Sequence, residues 1–148
     1  MATAKIIYAS MTGNTEEIAD IVAETMEDLG LDVEIDECTQ VASEELQEAD
    51  ICVIATYTYD DGTIPEEIMD LYEDLETMDL SGKLFGVCGS GDTFYDDSYC
   101  KAIDKFEKAL LNTGAQKGAE SIKVDLACDE EDIQKLESFA KQIVEKTH

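Results

Sequence analysis

Short, almost wholly apolar runs alternate along this chain with longer stretches in which apolar positions recur every three or four residues. Residues 4–9, 51–55 and 84–89 are runs of the first kind, and they read as strands buried on both faces. Residues 32–36 alternate polar with apolar (Val33, Ile35), the pattern of a half-exposed strand at a sheet edge. A short fifth strand is expected at 121–124. Between the strands, Ile18, Ile21, Val22, Thr25 and Leu29 share the face of a helix that begins at Glu16 and stops at Gly30. Residues 43–48 suggest a turn of helix capped by Ser43, and Pro65 stands at the first position of a helix reaching about Leu75. Ala102, Ile103, Phe106 and Leu110 mark a third long helix, capped by Ser98 and ended by Gly114. Ile133, Leu136, Ala140 and Ile143 mark a last one beginning at Asp129. Five strands alternating with helices predict an α/β fold, a single parallel sheet with helices on both faces, in one domain spanning 1–148.

Three polar, glycine-containing loops follow the first, third and fourth strands. In open parallel sheets, ligands bind outside the carboxyl ends of the strands. The first loop, Ser10-Met11-Thr12-Gly13-Asn14-Thr15, offers hydroxyls and backbone N–H groups at a helix N-terminus and contains no cation, which suits a phosphate. The second loop begins with Tyr57 and Tyr59, and the third holds Phe94, Tyr95 and Tyr99. Half of the ten aromatic residues therefore fall in two loops at one end of the sheet, where they suit a flat ring.

Charge narrows the field of partners. The 148 residues include 36 acidic side chains against 10 lysines and no arginine, for a formal charge of −26. Nucleic acid and anionic membrane surfaces are poor partners for such a chain, and basic protein surfaces are good ones. No run approaches the ~20 apolar residues that span a bilayer. The start reads directly into the first strand without a signal peptide. Five cysteines (Cys38, Cys52, Cys88, Cys100, Cys128) show no C-x-x-C spacing and read as reduced thiols of a cytoplasmic protein rather than a disulfide framework or a metal site. The only histidine is His148, which leaves no basis for histidine catalysis.

Ser-x-Thr-Gly-Asn-Thr after strand one, Thr-Tyr-Thr-Tyr-x-Asp-Gly after strand three and Gly-Ser-Gly-Asp-Thr-Phe-Tyr after strand four together resemble a flavodoxin over the whole chain, and the short connection at 117–125 is similar to the short-chain bacterial type. The resemblance implies strand order 2-1-3-4-5 and a non-covalently bound FMN. It also implies a monomeric, low-potential one-electron carrier between redox enzymes, with reductases and ferredoxin-linked oxidoreductases as partners. Ser10, Met11, Thr12, Gly13, Asn14 and Thr15 would then hold the phosphate, joined by Thr58. Tyr59 and Tyr95 would cover the two faces of the ring. Backbone groups of Tyr59, Asp60, Asp61, Asp92 and Tyr95 would line its polar edge, with Gly89 and Gly91 allowing close approach and Gly62, Ser90 and Cys100 also counted in the cofactor site. Asp60 departs from the family's usual glycine at a turn expected to flip on reduction, and a residue with a Cβ takes the required positive φ at greater cost.

Rivals from other classes fit less well. A receiver domain needs a carboxylate pair after strand one, where Ser10-Met11-Thr12 stands. A small phosphatase needs a Cys-x5-Arg loop, and there is no arginine. A non-redox FMN-binding or storage protein remains the alternative to the carrier.

Overall fold

The computed structural model describes residues 3–9, 13–57, 64–91, 101–125 and 129–146. Among them, β1 (Thr3–Tyr8), β2 (Asp32–Glu37), β3 (Ile51–Tyr57), β4 (Leu84–Gly91), β5 (Gln116–Lys117) and β6 (Ile122–Asp125) form one parallel sheet. The order is β2-β1-β3-β4-β5, with β6 also paired to β4. This is the expected 2-1-3-4-5 arrangement with one correction. The fifth position is filled by two short strands in succession, because the chain leaves β4 after Lys117 and rejoins it at Ile122.

Period-two alternation along the buried strands divides the core. Ile6, Ile51, Val53 and Ala55 face α1 (Asn14–Asp28) and α4 (Glu130–Glu145). Ile7, Cys52 and Ile54 face α2 (Glu66–Asp74) and α3 (Lys101–Asn112). Both side-chain sets are fully enclosed, which is why these runs carry no polar face. Tyr72 of α2 meets Phe106 of α3 edge-on, with ring centroids 5.3 Å apart. The chain leaves β1 toward β2 and leaves β3 toward β4 in opposite directions. Right-handed crossovers therefore put α1 and α2 on opposite faces, and the carboxyl ends of β1 and β3 are the switch point at which such sheets bind ligands.

Several boundaries shift from the expected ones. Helix α1 starts at Asn14 rather than Glu16, because Gly13 provides the break. Leu29, expected on the buried face, lies past the last turn and is 44 % exposed. The segment 43–48 is a 3-10 helix flanked by Ala42, whose N–H donates to Glu45 Oε2 at 2.8 Å, while Ser43 Oγ donates instead to Asp74 at 2.7 Å. Pro65 caps α2 from outside the helix, with ψ at 139°. Asp129 caps α4 as expected, its carboxylate accepting from Asp132 N at 2.8 Å. The proposed cap at Ser98 lies outside the described residues.

Candidate functional site

The end of β1 is pinned to its neighbour by Ala9 N donating to Ala55 O at 2.9 Å. The chain re-enters the described structure at Gly13, whose φ of +90° is left-handed, a conformation in which glycine carries no Cβ penalty. Glu17 N donates to Gly13 O at 3.0 Å and closes the first turn of α1. The amides of Asn14, Thr15 and Glu16 precede that bond and have no acceptor in the helix itself. A glycine cap supplies no side-chain oxygen for them. The arrangement fits an anion that brings its own oxygens.

Thr15, in this first turn, is only 1 % exposed. Its hydroxyl lies 3.1 Å from that of Ser90, near the end of β4. This single contact joins the first and third loops predicted to form the site, across a separation of 75 residues. Ser90 is held from both sides of the sheet, opposite Tyr57 of β3 and Val124 of β6.

The end of β3 behaves differently from its reading in the sequence. Tyr57, expected as part of an aromatic wall, is half-buried against the α2 side of the core, and its hydroxyl donates to Glu67 Oε1 at 3.0 Å. It is an anchor between β3 and α2. Glu67 carries no mark in the sequence, since its partner lies on another element ten residues away. A Cβ on Gly89 would collide with the Thr56 carbonyl, so glycine here allows the close approach of β3. Thr56 is itself fully buried and turns its hydroxyl to Tyr57 O at 3.0 Å.

Of the predicted site residues, Gly13, Asn14, Thr15, Ser90 and Gly91 lie at the carboxyl end of the sheet, and Thr15 and Ser90 touch. Ser10, Met11, Thr12, Thr58, Tyr59, Asp60, Asp61, Gly62, Asp92, Tyr95 and Cys100 lie outside the described residues.

The surroundings of the first loop are electronegative. Burial, followed by the charges of Glu16, Glu37, Asp20 and Asp36, raises the pKa of Tyr8 above its ordinary value. No lysine occurs between Lys5 and Lys83 in sequence, so the loop itself offers an anion short-range donors and the helix dipole to hold it. Charge-assisted hydrogen bonds of about 1.5–3 kcal/mol each can do so, because carboxylates beyond about 10 Å are screened by salt. Among the described residues, two cysteines are held as thiols. Burial above all pushes the thiols of Cys38 and Cys52 up to about 12.

The flavodoxin family model matches residues 6–139. "Probable flavodoxin 2" of Bacillus subtilis is 34 % identical over 148 residues, covering 99 % of this chain and 97 % of that protein. A flavodoxin structure from Streptococcus pneumoniae TIGR4 superposes with a TM-score of 0.95 at 59 % identity, over 98 % of this chain and 99 % of the other. A short-chain flavodoxin associated with a PDU bacterial microcompartment superposes with a TM-score of 0.98 at 44 % identity, over the full length of both chains.

Proposed function

The chain belongs to the flavodoxin family, and from that premise we propose that it is a low-potential, one-electron carrier that shuttles between redox enzymes. It is an electron-transfer flavoprotein with FMN as cofactor, not an enzyme. FMN supplies the electron chemistry, and the protein supplies binding, orientation and electrostatics.

The whole chain, 1–148, acts as one FMN-binding unit in the cytoplasm. The observation that carries this reading is the cation-free, glycine-capped start of α1, tied through Thr15 to Ser90 at the end of β4. Gly13, Asn14 and Thr15, together with Ser10, Met11, Thr12 and Thr58, hold the phosphate. Tyr59 and Tyr95 enclose the ring, and Asp60, Asp61, Gly62, Gly91, Asp92 and Cys100 border its edge. The charge of −26 supports the low potential. One carboxylate about 10 Å from an added electron costs roughly 0.4 kcal/mol in water and about 1.7 kcal/mol at an effective dielectric near 20. The same charge favours basic partner surfaces, as found on a reductase or a ferredoxin-linked oxidoreductase.

The test is a fluorescence titration of the flavin-stripped, full-length chain with FMN and with riboflavin. Riboflavin binds at least about tenfold more weakly, because the phosphate donors are left buried and unpaired without the phosphate. Equal affinities would remove the phosphate cradle. Reductive titration of the loaded protein then separates a carrier, which takes up electrons reversibly, from a storage protein.

A further inference from the structure

We propose that Ser90 is a positioning residue of the phosphate subsite, orienting the Thr15 hydroxyl as a donor to a phosphate monoester. The inference rests on the FMN reading above and gives Ser90 a role that acts through Thr15.

Two hydroxyls carry two protons, and the 3.1 Å contact between Thr15 Oγ1 and Ser90 Oγ uses one of them. The other proton remains, and its location depends on which residue donates. If Thr15 donates to Ser90, only lone pairs of Thr15 are left to face the start of α1, and they repel an anion. If Ser90 donates to Thr15, the threonine keeps its own proton for the ligand. Both residues are closed to solvent, at 1 % and 5 % exposure, so bulk water does not compete for the choice.

The two residues also differ in rigidity. The backbone of Ser90 is fixed by pairing with Tyr57 and Val124 on either side. Thr15 carries its hydroxyl in the first turn of α1, and the contact with Ser90 fixes the direction of that hydroxyl. An anion at the helix start selects the orientation Ser90 → Thr15 → phosphate oxygen, and the aligned chain strengthens both bonds. Recognition of the phosphate is thereby shared between α1 and the end of β4, although the two segments lie far apart in sequence.

The experiment compares the full-length protein with Ser90→Ala, Thr15→Val, the double variant and Ser90→Thr. Each is titrated with FMN and with riboflavin after its fold is checked by circular dichroism. Ser90→Ala weakens FMN by roughly three- to tenfold and leaves riboflavin within about twofold. The double variant binds FMN no more weakly than Thr15→Val, and Ser90→Thr returns toward the parent. Equal weakening of both flavins by Ser90→Ala would make its role purely structural and overturn the inference. Additive losses in the double variant would also overturn it, by making Ser90 independent of Thr15. A parent protein that fails to prefer FMN over riboflavin would remove the cradle itself, and the inference with it.

Discussion

Among the described residues, Lys5 is the one ammonium group set into the buried strands, and its surroundings make it a pH-dependent clasp. It lies in β1 with a side chain only 4 % exposed, and its Nζ reaches Asp36 at 2.8 Å, Glu34 at 3.1 Å and Glu45 at 3.3 Å. Two of these carboxylates come from β2 and the third from the 3-10 turn before β3. Burial by itself lowers the pKa of such an ammonium, but hydrogen bonds to Asp36, Glu34 and Glu45 outweigh it and leave the value raised. A raised folded-state value stabilises in full below the ordinary lysine value of about 10.4, and the contribution is lost as pH climbs through the folded value. Glu45 behaves in the opposite sense. The Ala42 amide first, then Lys5, lowers its pKa, so its contribution is present above about 4.3 and is lost as pH falls through the folded value. Lys5→Met is expected to cost about 1–3 kcal/mol in urea unfolding near pH 7. The gap from the parent shrinks below about pH 4, as the partners protonate. A Lys5→Met protein more stable than the parent at pH 7 would mean that desolvation of the ammonium outweighs its three bonds.

Among the elements, the seat of α4 is the most tightly specified. A Cβ on Gly86 would stand 2.5 Å from Phe139 Cζ and 2.6 Å from Ile143 Cδ1, and one on Gly118 would stand 2.8 Å from Ile143 Cγ1. The helix therefore lies on two bare patches, one on the face of β4 and one just after β5. Gly86→Ala is expected to lower stability by about 1–3 kcal/mol through overpacking. The loss is smaller in a Phe139→Leu background, because the two sites share one contact and do not add. Additive urea midpoints would place the strain elsewhere.

The strands β1, β3 and β4 and the long helices were legible in the sequence because each buries enough side chains to leave a period of two or of three to four. β5 left no such trace. Gln116 and Lys117 are a strand only because Lys83 O, just before β4, and Phe85 O within it accept from Gln116 N and Gly118 N, at 2.9 and 2.8 Å. The site divides in the same way. A local run of small, hydroxylic residues marks the proposed phosphate loop, and its described part, 13–15, opens α1 two residues before the expected start. The Thr15–Ser90 contact, the Tyr57–Glu67 bond and the approach of Gly89 to Thr56 have no such mark. Each joins residues on different elements, and no local pattern reports such a meeting.

At the scale of the whole molecule, 36 acidic residues against 10 lysines set the long-range behaviour. Self-repulsion works against the compact state, and salt relieves it by shortening the screening length from about 10 Å at 0.1 M to about 3 Å at 1 M. The urea midpoint of the flavin-loaded protein is expected to rise with sodium chloride across that range. Electron transfer from a basic reductase, followed by stopped-flow absorbance, is expected to slow over the same range as steering is screened. A rate indifferent to salt would argue that short-range fit rather than charge governs the encounter.

The interrupted outer strand has a bearing on how the protein keeps to itself. A parallel sheet exposes a row of unsatisfied amides and carbonyls along each rim, and a second chain can add to a long, flat rim as a further strand, the route into fibrils. On one rim, β2 places Asp32, Glu34 and Asp36 at alternate positions, so an incoming copy meets its own like charges. On the other rim the described residues form no continuous template. β5 spans two residues and β6 four, with Gly118 and the residues up to Ser121 stepping out between them. A copy arriving there meets, among the described residues, only two short pairings, which disfavours growth by strand addition even though the middle strands are among the most apolar segments of the chain.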